Sequence, residues 1–156
     1  MQNSLTKISA RTKLYAVFGH PISHSLSPLM HNAAFTALGI DAVYLAFDVP
    51  PEELKNVLSA IKIMQFGGIN LTVPLKEVAF NLISKLTKHA LISKSVNTIA
   101  FNKDGEMIGD STDGRGFIMA VKYSFKTSLE GKVMFLLGCG GAGKTAAVAA
   151  LYEGAT

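Results

Sequence analysis

The chain has 156 residues, of which 49% are hydrophobic and 17% charged, a balance typical of a folded globular protein rather than a disordered one. The formal net charge is +4, but the basic residues are scattered and tryptophan is absent, so we expect no nucleic-acid interface. No apolar run reaches the ~20 residues of a membrane helix, and Met1 to Lys13 lacks a secretory signal core. The single cysteine, Cys139, excludes an internal disulfide and favours a cytoplasmic protein.

Predicted strands alternate with predicted helices along most of the chain. Apolar runs bounded by glycine or proline predict strands at residues 14–18, 42–47 and 67–73. Ser27-Pro28, acting as N-cap and first helical residue, and apolar residues at helical spacing predict helices at 27–38, 50–61 and 75–86. Asp104-Gly105 predicts a hairpin between 95–102 and 106–108, followed by a connecting helix at 113–124. This order predicts an α/β fold, a three-layer sandwich with a mixed, mostly parallel sheet over about residues 14–110.

A glycine-rich loop follows a predicted buried strand at 133–137 and precedes a predicted helix at 144–151. Strand, glycine turn and helix in this order present free N–H groups to a phosphate, so the loop indicates a nucleotide. The spacing G-x-G-x-x-G is that of a dinucleotide site. This interpretation assigns cofactor binding to the loop itself: Gly138, Gly140, Gly141, Ala142 and Gly143.

The same loop also matches the P-loop pattern G-x-x-x-x-G-K-T. In that interpretation Lys144 reaches the terminal phosphates and Thr145 holds Mg²⁺. A third interpretation is a tight strand-to-helix turn without a ligand. Only 13 residues follow Gly143 in this sequence, so we expect no complete nucleotide-binding domain within it. The loop alone leaves the three interpretations open.

Polar residues cluster at predicted strand ends or loops in four places: residues 24–28, 70–76, 96–98 and 109–114. Ligands of α/β sheets collect beyond the carboxyl ends of the strands, so Ser25, Lys76 and Asp113 are expected to meet there. Taken singly, each also suits an ordinary structural role such as a helix cap or a solvated lysine. The four histidines lack metal-ligand spacing, and we predict no metal site.

Taken together and in this order, the clusters resemble one family, shikimate dehydrogenase. The resemblance extends over about residues 15–152, and it favours the dinucleotide interpretation of the loop. The blocks that carry it are F-G-H-P-I-S-H-S-L-S-P at 18–28, M-H-N at 30–32, G-I-N-L-T-V-P-L-K-E at 68–77, V-N-T at 96–98, S-T-D-G at 111–114 and the glycine loop. Three positions depart from the usual pattern: Leu75, Ser95 and Ser111, where the family usually has phenylalanine, alanine and asparagine.

The resemblance implies a function, because the family reduces 3-dehydroshikimate to shikimate with NADPH in the shikimate pathway of aromatic amino-acid biosynthesis. It implies Lys76 and Asp113 as the catalytic pair. The substrate-binding residues that it implies are Ser25, Ser27, Asn70, Thr72 and Asn97. A lysine ammonium beside the ketone stabilises the alkoxide left by hydride delivery, and an aspartate orients that lysine. The implied cofactor is NADP. The implied partners are the small-molecule substrate and, in a homodimer, a second copy of the chain.

The resemblance also divides the chain into two parts. Residues 1–112 correspond to the substrate-binding domain, and residues 113–156 to the connecting helix and the first β-α unit of an NADP-binding Rossmann domain. The remaining strands of that domain are absent from this sequence, so we expect residues 130–156 to pack on another copy or to fray. The alternatives are a relative that also accepts quinate and a chain that binds substrate without catalysis.

Overall fold

The computed structural model describes residues 8–138 and 140–156. The expected absence of a secretory signal core concerns in part residues 1–7, and these lie outside the described residues, as does Cys139. The strands are β1 Lys13–Gly19, β2 Ala42–Asp48, β3 Gly68–Leu71, β4 Lys85–Leu86, β5 Thr98–Phe101 and β6 Met107–Asp110. The helices are α1 Ser27–Leu38, α2 Leu54–Ile63, α3 Leu75–Leu82, α4 Lys88–Ser93, α5 Asp113–Phe125 and α6 Gly141–Tyr152, with a 3₁₀ turn at Pro51–Glu53 before α2.

One mixed sheet organises the described strands in the order β2-β1-β3-β5-β6-β4. β1 lies parallel to both β2 and β3, and β4 lies parallel to β6. β5 runs antiparallel to β3 and to β6, so the predicted hairpin supplies the antiparallel pairs. The prediction of an α/β fold with a mixed sheet is confirmed.

Helices cover both faces of the sheet, as the alternating side chains of β1 require. Ala16 and Phe18 face a core built with the buried residues of α2 and α3. Val17 faces the opposite side, where it packs with Tyr44 and with Phe35 of α1. Each face carries its own apolar cluster, which gives the predicted three layers.

The prediction of one long helix over residues 75–86 is wrong at its C-terminal end. α3 ends at Leu82, because Ile83 is extended and Lys85–Leu86 pairs with β6 as an edge strand. Thr87 then caps the short helix α4 by accepting the N–H of Ala90 at 3.3 Å. In the sequence, apolar residues continue at helical spacing from α3 into α4, and the capping residue Thr87 is the one local signal that the helix is interrupted.

The N-terminal boundary of α1 also differs from the prediction. Ser27 is the first helical residue rather than the cap, and Leu26 occupies the N-cap position without a side-chain hydrogen bond. Ser25 Oγ instead accepts the N–H of Ser27 at 3.3 Å. The serine hydroxyls are therefore arranged around the loop before the helix, rather than at its cap.

The predicted buried strand at 133–137 is wrong, since this segment is exposed and belongs to no sheet among the described residues. Val133, Phe135 and Leu137 are 86%, 86% and 87% exposed. A parallel pairing begins where Thr156 donates to the Lys132 carbonyl and Met134 donates to the Thr156 carbonyl. No described strand flanks this segment, so its side chains stay exposed, because a parallel strand is buried only when neighbours on both sides and faces cover it.

Candidate active site

Lys76 and Asp113 form a close ion pair between the first turns of two helices. Lys76 is the second residue of α3, and Asp113 opens α5. The ammonium Nζ donates to Asp113 Oδ2 at 2.6 Å, and the side chains are 18% and 29% exposed. Leu75 is fully buried and anchors the start of α3, so the next side chain turns out of the core. Among the described residues Nζ donates only to Asp113, which leaves two ammonium hydrogens for a ligand.

Asn97 is the centre of the hydrogen bonds around this pair. Asn97 is 7% exposed and immediately precedes β5. The amide nitrogen donates to Asp113 Oδ1 at 2.6 Å and to Thr112 Oγ1 at 2.9 Å. The amide oxygen accepts the backbone N–H of Thr112 at 3.0 Å and the hydroxyl of Thr98 at 2.9 Å. One buried amide thus holds one oxygen of the carboxylate while Lys76 holds the other.

Asn70 lies on β3, beside the start of β5, and is connected to the same group. Its amide nitrogen donates to Thr98 Oγ1 at 3.1 Å and to the Asn97 carbonyl at 3.3 Å. Its amide oxygen accepts the hydroxyl of Tyr44 at 2.7 Å. Burial raises the pKa of the Tyr44 hydroxyl to about 12, so the phenol stays protonated and acts as a donor.

Ser25 and Thr72 lie on loops, and Ser27 opens α1, all at the same edge of the sheet. Ser25 and Ser27 follow β1, and Thr72 follows β3, the parallel neighbour of β1. All three are half-buried, and no described hydrogen bond connects their side chains to Lys76 or Asp113. Thr72 packs closely on the end of β1, where a Cβ added to Gly19 would lie 2.5 Å from its methyl group. The structure therefore joins Asn70, Asn97, Lys76 and Asp113 directly and places the three hydroxyl residues at the rim.

His20 and Asp48 form a second polar pair at this edge that the sequence interpretation missed. The ring nitrogen Nδ1 lies 2.5 Å from Asp48 Oδ1, and both side chains are half exposed. Gly19 pairs with Asp48 in the parallel register of β1 and β2, so the residue after Gly19 reaches the end of the neighbouring strand. The parallel pairing of these two predicted strands is the signal from which the His20–Asp48 pair could have been inferred. Among the described residues no group of three metal-ligating side chains forms.

The glycine loop makes a tight turn directly before α6. Gly138 has a φ of +91°, a conformation that side chains disfavour, and Gly140 is the N-cap of α6. A Cβ on Gly143 would lie 2.6 Å from the Gly138 carbonyl oxygen, so this position requires glycine. A Cβ on Gly140 would meet nothing within 4 Å, which leaves the backbone open to a ligand.

Thr145 argues against the P-loop interpretation of this loop. Its residue is 4% exposed, and its hydroxyl donates to the Gly141 carbonyl at 2.9 Å. A P-loop threonine instead presents its hydroxyl to Mg²⁺. Lys144 Nζ donates to Glu77 Oε1 of α3 at 3.2 Å. Both residues that define the P-loop are used within the protein.

A cavity of about 440 Å³ lies elsewhere, between α4, α5 and α6. Apolar residues such as Ile92, Ile118 and Val148 form much of its wall, and neither Lys76 nor Asp113 lines it. We take the polar network as the candidate site because it holds a closely spaced, partly buried pair of ionisable groups.

Comparison with known proteins gives one consistent result. The family described as shikimate dehydrogenase substrate binding domain matches residues 17–99, more than half of the chain. A shikimate dehydrogenase (NADP(+)) of Rubrobacter xylanophilus is 44% identical over 151 residues, which are 97% of this chain and 53% of that protein. The chain spans about half the length of the curated relatives it matches.

Solved structures agree with this match. The shikimate dehydrogenase of Aquifex aeolicus superposes with a TM-score of 0.89 at 40% identity, over 95% of this chain and 55% of that one. Shikimate 5-dehydrogenase from Listeria monocytogenes, in complex with shikimate and NAD, superposes with a TM-score of 0.89 at 38% identity, over 95% and 50%. Among the described residues no helix has the length and apolar character needed to cross a bilayer.

Proposed function

Because the chain belongs to the shikimate dehydrogenase family, we propose that it contributes the substrate site of an NADP-dependent enzyme that interconverts 3-dehydroshikimate and shikimate. The observation that carries this proposal is the partly buried Lys76–Asp113 pair, with the Asn97 amide on its second carboxylate oxygen. Relatives of this chain carry the name shikimate dehydrogenase (NADP(+)), and one solved relative holds shikimate.

The Lys76 ammonium supplies the proton in the proposed reaction. A nicotinamide cofactor held by the glycine loop would supply the hydride that the ketone carbon accepts. The carbonyl electron pair moves to oxygen, and Lys76 Nζ donates a proton to that oxygen as the C–H bond forms. Asp113 orients the ammonium through a hydrogen bond of 2.6 Å, and its own carboxylate is fixed by Asn97. General acid help of this kind contributes about 10²–10⁴-fold to the rate.

The rim residues have the chemistry to bind the rest of the substrate. The hydroxyls of Ser25, Ser27 and Thr72 suit the substrate carboxylate, since hydroxyls donate well to an anion without adding charge. Asn97 and Asn70 lie beside the pair, where ring hydroxyls would approach. The side-chain amide of Asn97 already makes four hydrogen bonds. A ring hydroxyl would therefore replace one of these partners, such as the Thr112 hydroxyl.

The glycine loop would hold the pyrophosphate of the cofactor. Gly140 offers open space beside the N-terminus of α6, and Gly143 allows the turn to close on Gly138. These residues fit a dinucleotide, because the backbone N–H groups at a helix start attract phosphate. The proposed cofactor residues are Gly138, Gly140, Gly141, Ala142 and Gly143.

The proposal divides the chain before Asp113, with residues 1–112 binding substrate and residues 113–156 beginning the cofactor-binding part. The exposed Val133, Phe135 and Leu137 support packing of this second part on further protein, for which a second copy of the chain is one source. We place the protein in the cytoplasm, where the lone cysteine would stay reduced.

Oxidation of shikimate with NADP⁺, followed by the absorbance of NADPH, tests the proposal. We expect Lys76→Met to lower turnover by about 10²–10⁴-fold with little change in shikimate affinity. Lys103→Met is the matched control, since Lys103 is exposed near the hairpin turn. If the unmodified chain turns over shikimate, equal turnover in both variants would remove Lys76 from the mechanism. Saturable shikimate binding without turnover would favour the substrate-binding alternative, and preferred oxidation of quinate would favour the relaxed-specificity alternative.

A further inference from the structure

A buried tyrosine is connected to the catalytic pair by an unbroken series of hydrogen bonds. Tyr44 donates to Asn70, Asn70 to Thr98, and Thr98 to Asn97, over 2.7, 3.1 and 2.9 Å. Asn97 then donates to Asp113, whose other oxygen accepts from Lys76. Every donor points towards the carboxylate, so the series has one direction.

The direction of this series is set by the bonding capacity of each group. A threonine hydroxyl has one hydrogen, and Thr98 accepts from Asn70, so its hydrogen goes to the Asn97 oxygen. Both amide hydrogens of Asn70 are used, one on Thr98 and one on the Asn97 carbonyl. Asn70 therefore has no unused amide hydrogen in this arrangement, whereas its oxygen, which accepts from Tyr44, keeps a second lone pair for a ring hydroxyl.

Tyr44 is held in place on every side. Its residue is 3% exposed, and the His31 ring stacks on it at 4.2 Å with an interplanar angle of 17°. The Asn32 side chain donates to the Tyr44 carbonyl at 2.8 Å and accepts its backbone N–H at 2.9 Å. The hydroxyl is thus a fixed donor at the far end of the series from Lys76.

We propose that Tyr44, Asn70 and Thr98 are positioning residues that orient the Asn97 amide against Asp113 and thereby fix the ammonium of Lys76. None of the three needs to touch the reacting atoms. The consequence for catalysis rests on the proposed function, whereas the positioning itself is a property of the free chain. Without the Thr98 hydroxyl, the Asn97 amide keeps only its bonds to Thr112 and Asp113 and gains freedom to rotate. Without the Tyr44 hydroxyl, Asn70 loses the bond that orients its amide towards Thr98, so the effect on Asn97 is indirect.

Solvent exchange of the Asn97 side-chain amide protons, measured by NMR on the free 156-residue chain, tests this positioning directly. We expect Thr98→Val, which keeps the shape and removes the hydroxyl, to speed this exchange about tenfold, the effect of one ordinary hydrogen bond. Tyr44→Phe is expected to speed it in the same direction by a smaller factor. Thr98→Ser restores the hydroxyl and is expected to exchange as the unmodified chain does.

Tyr15→Phe is the matched control, because Tyr15 packs in the same apolar cluster and its hydroxyl has no described hydrogen bond. Unchanged exchange in both Thr98→Val and Tyr44→Phe would overturn the proposal. An equal effect of Tyr15→Phe would overturn it too, since that result reports a general loosening of the core.

Shikimate titration of the same variants separates this inference from the proposed function. If the unmodified chain binds shikimate, we expect Thr98→Val to bind it about tenfold more weakly and Thr98→Ser to bind it normally. If the unmodified chain does not bind shikimate, the proposed function fails and the exchange rates still decide whether the positioning residues act on Asn97.

Discussion

Replacing Asn97 by aspartate should make the stability of the chain depend on pH. The Asn97 nitrogen lies 2.6 Å from Asp113 Oδ1, so Asn97→Asp sets two carboxylates against each other at that distance. At an effective dielectric constant of about 20 the repulsion is about 6 kcal/mol. The Lys76 ammonium on the other carboxylate oxygen offsets part of it, and about 2–4 kcal/mol reaches the free energy of unfolding.

The sign of the pH dependence follows from the charged form being the unfavourable one. A loss of about 2–4 kcal/mol corresponds to a rise of about 1.5–3 units in the pKa of the introduced carboxyl, from about 3.9 when unfolded. The variant should therefore keep most of its stability near pH 4, where the new carboxyl is protonated and still donates. Stability should fall as the pH rises from about 4, level off above the raised pKa of about 5.5–7, and show its full loss by pH 8.

Urea unfolding of the unmodified chain, Asn97→Asp and Asn97→Leu at several pH values measures this effect. Asn97→Leu removes the same hydrogen bonds without adding a charge, so its loss relative to the unmodified chain should be the same at pH 4 and pH 8. The difference between the two variants at pH 8 isolates the repulsion. Equal losses for Asn97→Asp at both pH values would refute the contact between Asn97 and Asp113.

Three further predictions concern packing and ionisation. Gly114→Ala should lower the free energy of unfolding by about 1–2 kcal/mol, because the added Cβ would lie 3.0 Å from Ala149 Cβ. Gly116→Ala should raise it by about 0.5–1 kcal/mol, because its added Cβ would meet nothing within 4 Å. Thermal unfolding of both variants measures these effects. Gly143→Ala should abolish measurable NADP⁺ binding in calorimetry while leaving shikimate binding intact, since the clash with Gly138 is confined to the glycine loop. Burial raises the pKa of Tyr44 to about 12, so the free energy of unfolding of the unmodified chain should fall by up to about 3 kcal/mol between pH 10 and pH 12. Unfolding curves of Tyr44→Phe at alkaline pH should lack this fall.

The sheet was predictable from sequence because its strands and turns carry strong local signals. Apolar runs ending at glycine or proline located β1, β2 and β3, and Asp104-Gly105 located the β5–β6 hairpin. The edge strand β4 was missed because two residues carry no pattern, and its pairing with β6 is decided by tertiary contact. The segment at 133–137 has a strand pattern, but a pattern does not supply the neighbouring strands that a parallel sheet requires.

The candidate site was partly predictable. Strand-end logic brought Lys76 and Asp113 to one edge of the sheet, and the structure joins them by a hydrogen bond. The hydrogen bonds of Thr98 and Tyr44 were not predictable, because they depend on the orientation of the Asn70 and Asn97 side-chain amides in the folded chain. Such details arise only when β2, β3 and β5 are assembled in register.

Calorimetric titration of the 156-residue chain with shikimate, alongside Asp113→Asn, tests the central claim most directly. The claim is that Lys76, Asn97 and Asp113 form a substrate site at the carboxyl edge of the sheet. It predicts saturable shikimate binding by the unmodified chain and at least tenfold weaker binding by Asp113→Asn, with both proteins folded. Absence of shikimate binding by the folded chain, or equal binding by Asp113→Asn, would contradict it.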